Sequence, residues 1–493
     1  MSHADQATCL RATADLLGLM GLPTSTGRVR ITGSEQRSIA RRRISTASAA
    51  ALAATGAATA EYWRRIGGDE QTVTVDMHRA TQALYVAAHT KRSDGWRPAA
   101  GYGAIQTVEP MNPYFRTHDG RWIDLVLGSA RPNQVDRVLQ VLDCERDSIA
   151  KAVASRDGLE LEGAIHATGA TAGLVRTAEE WRTTPQGQHL DRQPVIRVER
   201  IGDAPPRRRT AADNESDCAG VLSGLRVLDA THVIAGPMVA RTLAEQGADV
   251  LHVTRPVNHD TEMFLLDLGV GKRNIVIDLD RETGRADFGD MAATADVLVQ
   301  SYRPGALAAR GFSPVALAES NPGIVVVQVS CFGETGPDGH RRGVDPVAQA
   351  VTGLAVDEAD ADGRPMMNPM VTLTDPLVGY LGAAGVMAAL ARQVTEGGSW
   401  LVRVSLAGSA MWLQDLGWSD ATVVHGQSLS LEHLVAPRTV QFESPHFSTV
   451  IYLAPVVEYS ATPSGWSRPP EPATVGKPEW LSGGADRPEM APA

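Results

Sequence analysis

Between Leu225 and Val329 short apolar strands alternate with helices, and this constrains the fold more than any other feature. The strand segments are 225–230, 249–253, 274–279, 296–300 and 324–329, the last a β-branched run. The intervening segments 235–247 (opened by Gly236-Pro237), 287–295 and 305–319 carry helical patterns. A strand that is apolar on both sides is buried on both faces, and successive strands joined through helices run parallel. The C-terminal half is therefore expected to be α/β, a Rossmann-like open parallel sheet covered by helices. No GxGxxG follows the first strand, so the pattern alone does not define a dinucleotide site.

The N-terminal half reads differently, as a smaller α+β domain. It opens with an Ala/Leu-rich helix, CLRATADLLGLMG, and a strand at 28–32. A helical pattern over 47–65 leads to the alternating segment QTVTVDM at 71–77. Residues 101–126 read as loops and a hairpin, with His118-Asp119-Gly120-Arg121 as the turn before strand 122–126. Helices at 132–142, 159–166 and 177–182 follow, then a strand at 195–200. Residues 203–220 (DAPPRRRTAADNESDCAG) have no periodicity and read as a linker. The division is 1–202, linker 203–220, 221–425, and a Pro-rich C-terminal arm at 426–493 anchored where Trp466 and Trp480 find pockets.

The halves share an internal pattern. A shift of 329 positions places Leu52 on Leu381, Gly56 on Gly385, Ala60 on Ala389, Val73 on Val402 and Val75 on Val404. Each copy is an Ala/Gly-rich helix, a glycine turn and a strand. On the same shift Thr46 falls on Asp375, so only the second copy carries a carboxylate there.

Composition excludes several classes. A net charge of −11 argues against a surface built for nucleic acid. The clusters Arg41–Arg43 and Arg207–Arg209 are read as solvated surface or linker. The four cysteines, at 9, 144, 218 and 331, form no CxxC or metal-ligand spacing, so free thiols and no metal are expected. The start MSHADQATCLRA is not a charged-then-apolar leader. No uninterrupted apolar run approaches the roughly 18 residues of a membrane span. A cytoplasmic protein without a membrane partner is the expectation.

One stretch carries candidate chemistry: MVTLTDPLVGYLGAAGVMAALAR, residues 370–392. An Asp before a Pro that opens an apolar run is a helix start, and the plain reading of Asp375 is a cap. The other reading is a carboxylate nucleophile, held ionised by the helix N-terminus and stripped of water by apolar neighbours. The stretch alone leaves both open.

The ordered set LSGLRVLDATHVIAGP (222–237), QGADVLHVTRP (246–256), GKRNIVIDL (271–279), ADVLVQSYRPGALAARGF (295–312), CFGETGP (331–337), RRGVDPVAQA (341–350) and LTDPLVGYLGAAGVMAAL (373–390) resembles the class III CoA-transferases of CaiB/BaiF type. That family includes formyl-CoA and carnitine CoA-transferases and the α-methylacyl-CoA racemases. The helix and strand at 47–77, DGRWIDL (119–125) and EEWRTTPQG (179–187) resemble its remaining parts. The chain thus looks like a fused or rearranged member with a small domain in its first half and a nucleotide-binding start in its second.

The resemblance implies a transferase that moves CoA from an acyl-CoA to a carboxylic acid, with Asp375 as nucleophile, through an aspartyl anhydride and an aspartyl-CoA thioester. Family pairing implies a homodimer. The CoA contacts implied are Ile234, Ala235, Arg255, Tyr302, Arg303, Arg310 (one place beyond the family arginine, which falls on Ala309), Arg342 and Asp345. Ile234 replaces a glutamine, and the family's glycine-run loop is absent from the chain. Backbone N–H groups at the start of the Asp375 helix are the expected oxyanion donors. Racemases place a His before the acidic residue of the RxGxD segment to move the α-proton. Here that position is Val344, and His340 lies four residues earlier, which disfavours racemisation. A catalytically degenerate CoA-binding protein is the remaining alternative.

Overall fold

The computed structural model describes residues 2–36, 40–96, 114–127, 132–207, 209–211, 220–256, 260–368, 372–419, 437–473 and 476–481. Residues 101–113 of the expected loop and hairpin region 101–126, residues 208 and 212–219 of the linker, and residues 420–436, 474–475 and 482–493 lie outside these ranges.

Seven strands build the central sheet, in the order Lys272–Val276, Asp249–Thr254, Arg226–Ala230, Val297–Gln300, Val325–Ser330, Ser399–Ser405 and Ile196–Gly202. The first six run parallel, as their double-sided apolar character requires. Strand order grows outward one way from Arg226–Ala230, then reverses and grows the other way from Val297–Gln300. This is the doubly wound Rossmann order, whose crevice opens beyond the carboxyl ends of those two strands. The chain is α/β, with the parallel sheet formed by its C-terminal half.

The seventh strand corrects the reading of the N-terminal half. Ile196–Gly202 closes the sheet by pairing antiparallel with Ser399–Ser405, its Ile196 and Val198 opposite Val404 and Val402. The linker begins fastened rather than loose: Gly398 N–H donates to the Ala204 carbonyl (2.9 Å) and Arg207 N–H to that of Gln393 (3.1 Å). The expected helix 305–319 is also broken. A short 3-10 turn, Ala308–Arg310, ends at Gly311 in the left-handed region (φ 93°), and Ser313 caps a separate helix, Pro314–Ser320.

Two long helices, Ile44–Arg65 and Thr374–Glu396, pack against each other at the centre of the molecule. Small residues allow the close approach, and the Thr55 hydroxyl donates across to the Tyr380 carbonyl (3.0 Å). Each helix covers the strand that follows it. A Cβ on Gly56 would lie 2.6 Å from a Val73 methyl, and one on Gly385 would lie 2.5 Å from a Val402 methyl. The 329-residue shift thus relates the same glycine–valine contact in both halves. Thr374–Glu396 is the one described helix apolar and long enough to cross a membrane, and 89% of its apolar window is buried inside the protein.

The tail is more than an arm held by two tryptophans. Thr439–Ser444 and Ser448–Leu453 form a hairpin that pairs with Lys91–Arg92, and Glu458–Tyr459 joins the sheet of Val29–Thr32 and Val73–Asp76. Alternation in STVIYL, with Val450 and Tyr452 buried, is the signal that composition obscured. The basic cluster at 41–43 was likewise misread as solvated. Arg42 is buried, pairs with Asp357 (2.8 Å) and stacks 3.7 Å above the Trp418 ring.

One buried ion pair fixes the geometry at the crevice. Lys272 donates to Asp229 (2.8 Å) and to the Pro237 carbonyl (2.8 Å), joining an outer strand to the central one and to the first turn of the next helix. Asp229 also faces His252 (3.0 Å) and accepts from the Thr231 hydroxyl. Burial opposes its charge, but Lys272 and His252 hold the Asp229 carboxyl well below the usual range. Its stabilisation is present above the ordinary carboxylate range and is lost as pH falls toward the lowered value. Substituting Lys272→Met leaves Asp229 buried beside a single basic partner. The expected cost is about 3–5 kcal/mol, measured by urea unfolding at neutral pH.

Candidate active site

Asp375 lies at the second position of the helix Thr374–Glu396 and is 7% exposed. It does not supply the cap that its position before Pro376 predicted. The cap comes from another segment: Asp345 Oδ2 accepts the backbone N–H groups of Thr374 and Asp375 (2.8 Å for the latter) and the Thr374 hydroxyl. Gln349, one turn along the helix Asp345–Thr352, donates to Asp345 Oδ1. Burial raises the Asp345 carboxyl, while Thr374, Gln349 and the two N–H groups pull it back.

This arrangement corrects a second expectation. The N–H groups of residues 374 and 375 are spent on Asp345, and Pro376 has none, so the first turn offers no oxyanion donor from these positions.

The N-terminal copy repeats the device. Glu35 is buried and accepts the N–H groups of Ser45 and Thr46 (2.8 and 2.9 Å) and the Thr46 hydroxyl (2.7 Å). Ser45 and Thr46 are the counterparts of Thr374 and Asp375 under the 329-residue shift. Each long helix therefore begins on an imported carboxylate. Where the second copy presents Asp375, the first presents a hydroxyl bonded to its own cap.

Residues from three of the quoted sequence segments come together near Asp375. Gly343 of RRGVD presses against Cys331 of CFGETGP, since a Cβ there would lie 2.2 Å from the sulfur. Burial pushes the Cys331 thiol well up, and the charges of Asp375 and Asp345 push it further. Gln186 of EEWRTTPQG donates to the carbonyls of Phe332 (2.7 Å) and Thr335 (3.0 Å), tying the small domain to that turn. Val344 is extended and precedes Asp345 directly, and Arg342 is half-buried in the same loop. A second support runs to the N-terminal half: Gln349 accepts Asn368 N–H (2.9 Å), Asn368 donates to Glu358 (3.2 Å), and Glu358 accepts Arg41 N–H (3.1 Å). Gln349, Thr374 and Cys331 were not singled out from sequence. The four-residue step from Asp345 to Gln349 was the available signal for the first of these.

The remaining implied CoA residues gather at the crevice of the sheet. Ile234 precedes the helix Ala235–Glu245 and makes no side-chain cap. The turn before it is strained, with β-branched Val233 at φ 71° and its N–H on Asp260 (2.9 Å). Tyr302 sits across the crevice, its ring 5.3 Å from that of His232. Arg310 is paired with Asp280, and Arg255 adds to the pull that lowers the Asp280 carboxyl. Arg303 is exposed. The helix Ala235–Glu245 that begins at this crevice packs along the helix of Asp375. A Cβ on Gly379, one turn along the Asp375 helix, would lie 2.5 Å from Met238 and 3.4 Å from the Ala235 carbonyl. A cavity of ≈ 150 Å³ beside Ser330, Glu334 and Arg403 includes neither Asp375 nor Asp345.

A doubly wound sheet with a helix start at its crevice, and a buried aspartate one helix away, defines an α/β scaffold rather than a reaction. Comparison with known proteins narrows it. The model of CoA-transferase family III matches residues 18–211 and 222–471, and the chain belongs to that family. It is 28% identical to an acetyl-coenzyme A transferase of Hypoxylon pulicicidum, over 69% of this chain and 59% of that protein. It is 30% identical to a probable fatty acyl-CoA transferase of Mycobacterium tuberculosis, Rv3272, over 40% of this chain and 54% of that one. It is 31% identical to the alpha subunit of a succinyl-CoA–L-malate CoA-transferase of Chloroflexus aurantiacus, over 38% and 46% respectively. The crystal structure of Rv3272 covers 40% of this chain and 58% of its own at a TM-score of 0.38. The chain spans about half the length of the curated relatives it matches.

The two imported caps give a paired test. Asp345→Ala and Glu35→Ala each orphan two backbone N–H groups, and each is expected to cost about 1–3 kcal/mol by urea unfolding. Only Asp345→Ala is expected to slow acyl-CoA labelling of Asp375.

Proposed function

We propose that the chain is a CoA-transferase that moves CoA from an acyl-CoA donor to a carboxylic acid, with Asp375 as covalent nucleophile. Family membership supports the reaction class. The observation that carries the assignment is the placement of Asp375: it is buried in the first turn of a helix whose start is capped by Asp345.

An Asp375 oxygen attacks the thioester carbonyl, the C–S bond breaks, and CoA leaves as thiolate, giving a mixed anhydride. The thiolate attacks the aspartyl carbonyl and releases the donor acid, leaving an aspartyl-CoA thioester. The acceptor carboxylate attacks that carbonyl and expels thiolate again. Thiolate then attacks the acceptor's acyl carbon, so acyl-CoA departs and Asp375 is restored. Each exchange trades one activated acyl group for another, which suits a weakly basic carboxylate. Ile234, Ala235, Arg255, Tyr302, Arg303 and Arg310 hold the nucleotide end of CoA in this reading, and Arg342 and Asp345 flank its thiol end. The small domain contributed by the first half then shields intermediates that water would destroy. Val344 brings no second acid/base group, so proton exchange at the α-carbon is not part of the reaction.

Incubation with a panel of acyl-CoAs, followed by hydroxylamine and intact-mass measurement, is expected to place one adduct per chain on the Asp375 peptide as a hydroxamate. Asp375→Ala is expected to bind CoA, form no adduct and transfer nothing. CoA exchange at the wild-type rate in that variant would refute the proposal.

A further inference from the structure

The N-terminal half encloses a pocket of ≈ 190 Å³ that shares no lining residue with the site around Asp375. Its apolar lining is Leu17 and Leu22, Val29 and Val73 of two paired parallel strands, and Ala57 and Ala60 of the helix Ile44–Arg65. Four charged side chains also line it, and they are paired with one another: Arg28 with Glu70, and Arg64 with Glu61 (2.9 Å). Among the described residues the lining therefore carries no net charge. An apolar cavity of about 150 Å³ takes up benzene, so there is room here for one substituted ring.

Gln71 also lines this pocket and is 3% exposed. Its Oε1 accepts both the Thr462 N–H (3.1 Å) and the Thr462 hydroxyl (3.0 Å). A backbone N–H can only donate, so the amide oxygen faces the tail and the amide cannot be turned over. That leaves the Gln71 Nε2 donor buried with no hydrogen-bond partner among the described residues. A buried donor left unmet costs free energy that an acceptor on a ligand would recover.

The second copy shows what else this strand position can hold. Under the 329-residue shift Gln71 falls on Trp400 and Gly68 on Gly397. Trp400 is 1% exposed, and its Nε1 donates to the Gly397 carbonyl (2.9 Å). The second copy thus supplies a planar ring with a polar handle from its own chain. The first copy sets a smaller amide there, beside open space, and offers a donor that needs an acceptor.

We propose that this pocket is a binding site for a small neutral aromatic carbonyl compound, its ring against the apolar lining and its carbonyl oxygen accepting from Gln71 Nε2. An ionic ligand gains nothing from side chains that already neutralise one another, and a ligand without an acceptor leaves the amide unmet. The assignment does not depend on the transferase reading.

Acetophenone and ethylbenzene, rings of one size with and without a carbonyl, are titrated into the full-length chain by ligand-observed NMR. Wild type is expected to bind both. The preference for acetophenone over ethylbenzene is expected to fall by about 3–10-fold in Gln71→Met, a ratio from which the hydration of each ligand cancels. Ala60→Leu fills the pocket from a half-buried helix position and is expected to weaken both ligands by more than about tenfold. Should Gln71→Met fail to fold, the infrared stretch of carbonyl-labelled acetophenone bound to wild type reads the same hydrogen bond, which lowers it from its position in hexane. No binding of acetophenone to wild type, an equal preference in wild type and Gln71→Met, binding untouched by Ala60→Leu, or a stretch at the hexane position would each overturn the proposal. Tighter binding of benzoate than of acetophenone would overturn the neutral class of ligand.

Discussion

The carboxylate of Asp345 is the group on which the candidate site depends. A helix start buried in the centre of a protein leaves N–H groups that water cannot reach. Asp345 accepts the two at residues 374 and 375 together with the Thr374 hydroxyl. Were Asp375 to do this, its carboxylate would be a structural fixture with its lone pairs committed to the turn. By importing the cap from a preceding segment, the fold takes the cap of this helix from a side chain other than Asp375. The supports of Asp345 then matter in turn, and they reach through Gln349, Asn368 and Glu358 to the N-terminal half.

The same solution at Glu35 shows that such a helix start folds without an aspartate at the matching position. The cap, the long helix, the glycine and the valine beneath it are all present in the first copy. Only the side chain at Thr46 differs in kind, and its hydroxyl turns inward to Glu35. Nothing in that helix's packing needs an acid at position 46.

Much of this was legible in the sequence because it was periodic. The double-sided apolar strands from Arg226 to Ser330 dictated a parallel sheet, and the 329-residue shift identified the paired helices. Failures share a physical cause: they concern partners far apart in sequence. Asp375 before Pro376 reads as a cap, since nothing local reveals that a carboxylate 30 residues earlier has taken the bonds. Arg42 reads as solvated because Asp357 and Trp418, which bury it, lie hundreds of residues away. The strand Ile196–Gly202 reads as the end of the small domain because its edge position depends on Ser399–Ser405. At the site, Asp375 stands out by its place before Pro376 and Asp345 through resemblance, whereas Gln349 and Cys331 emerge only from packing.

The exchange of strands between the halves bears on how such a chain is made. Thr74 and Val73 wait for Glu458 and Tyr459, and Lys91 and Arg92 wait for Ile451 and Val450. Those partners leave the ribosome only after all seven strands of the central sheet. Throughout synthesis the first half therefore carries two sheets with an open edge, and such edges invite pairing with other chains. Loops this long close slowly, so both edges stay open while the central sheet is made. The chain's exposure to aggregation is thus set by the interval between its first strand and its last hairpin rather than by its stability once folded.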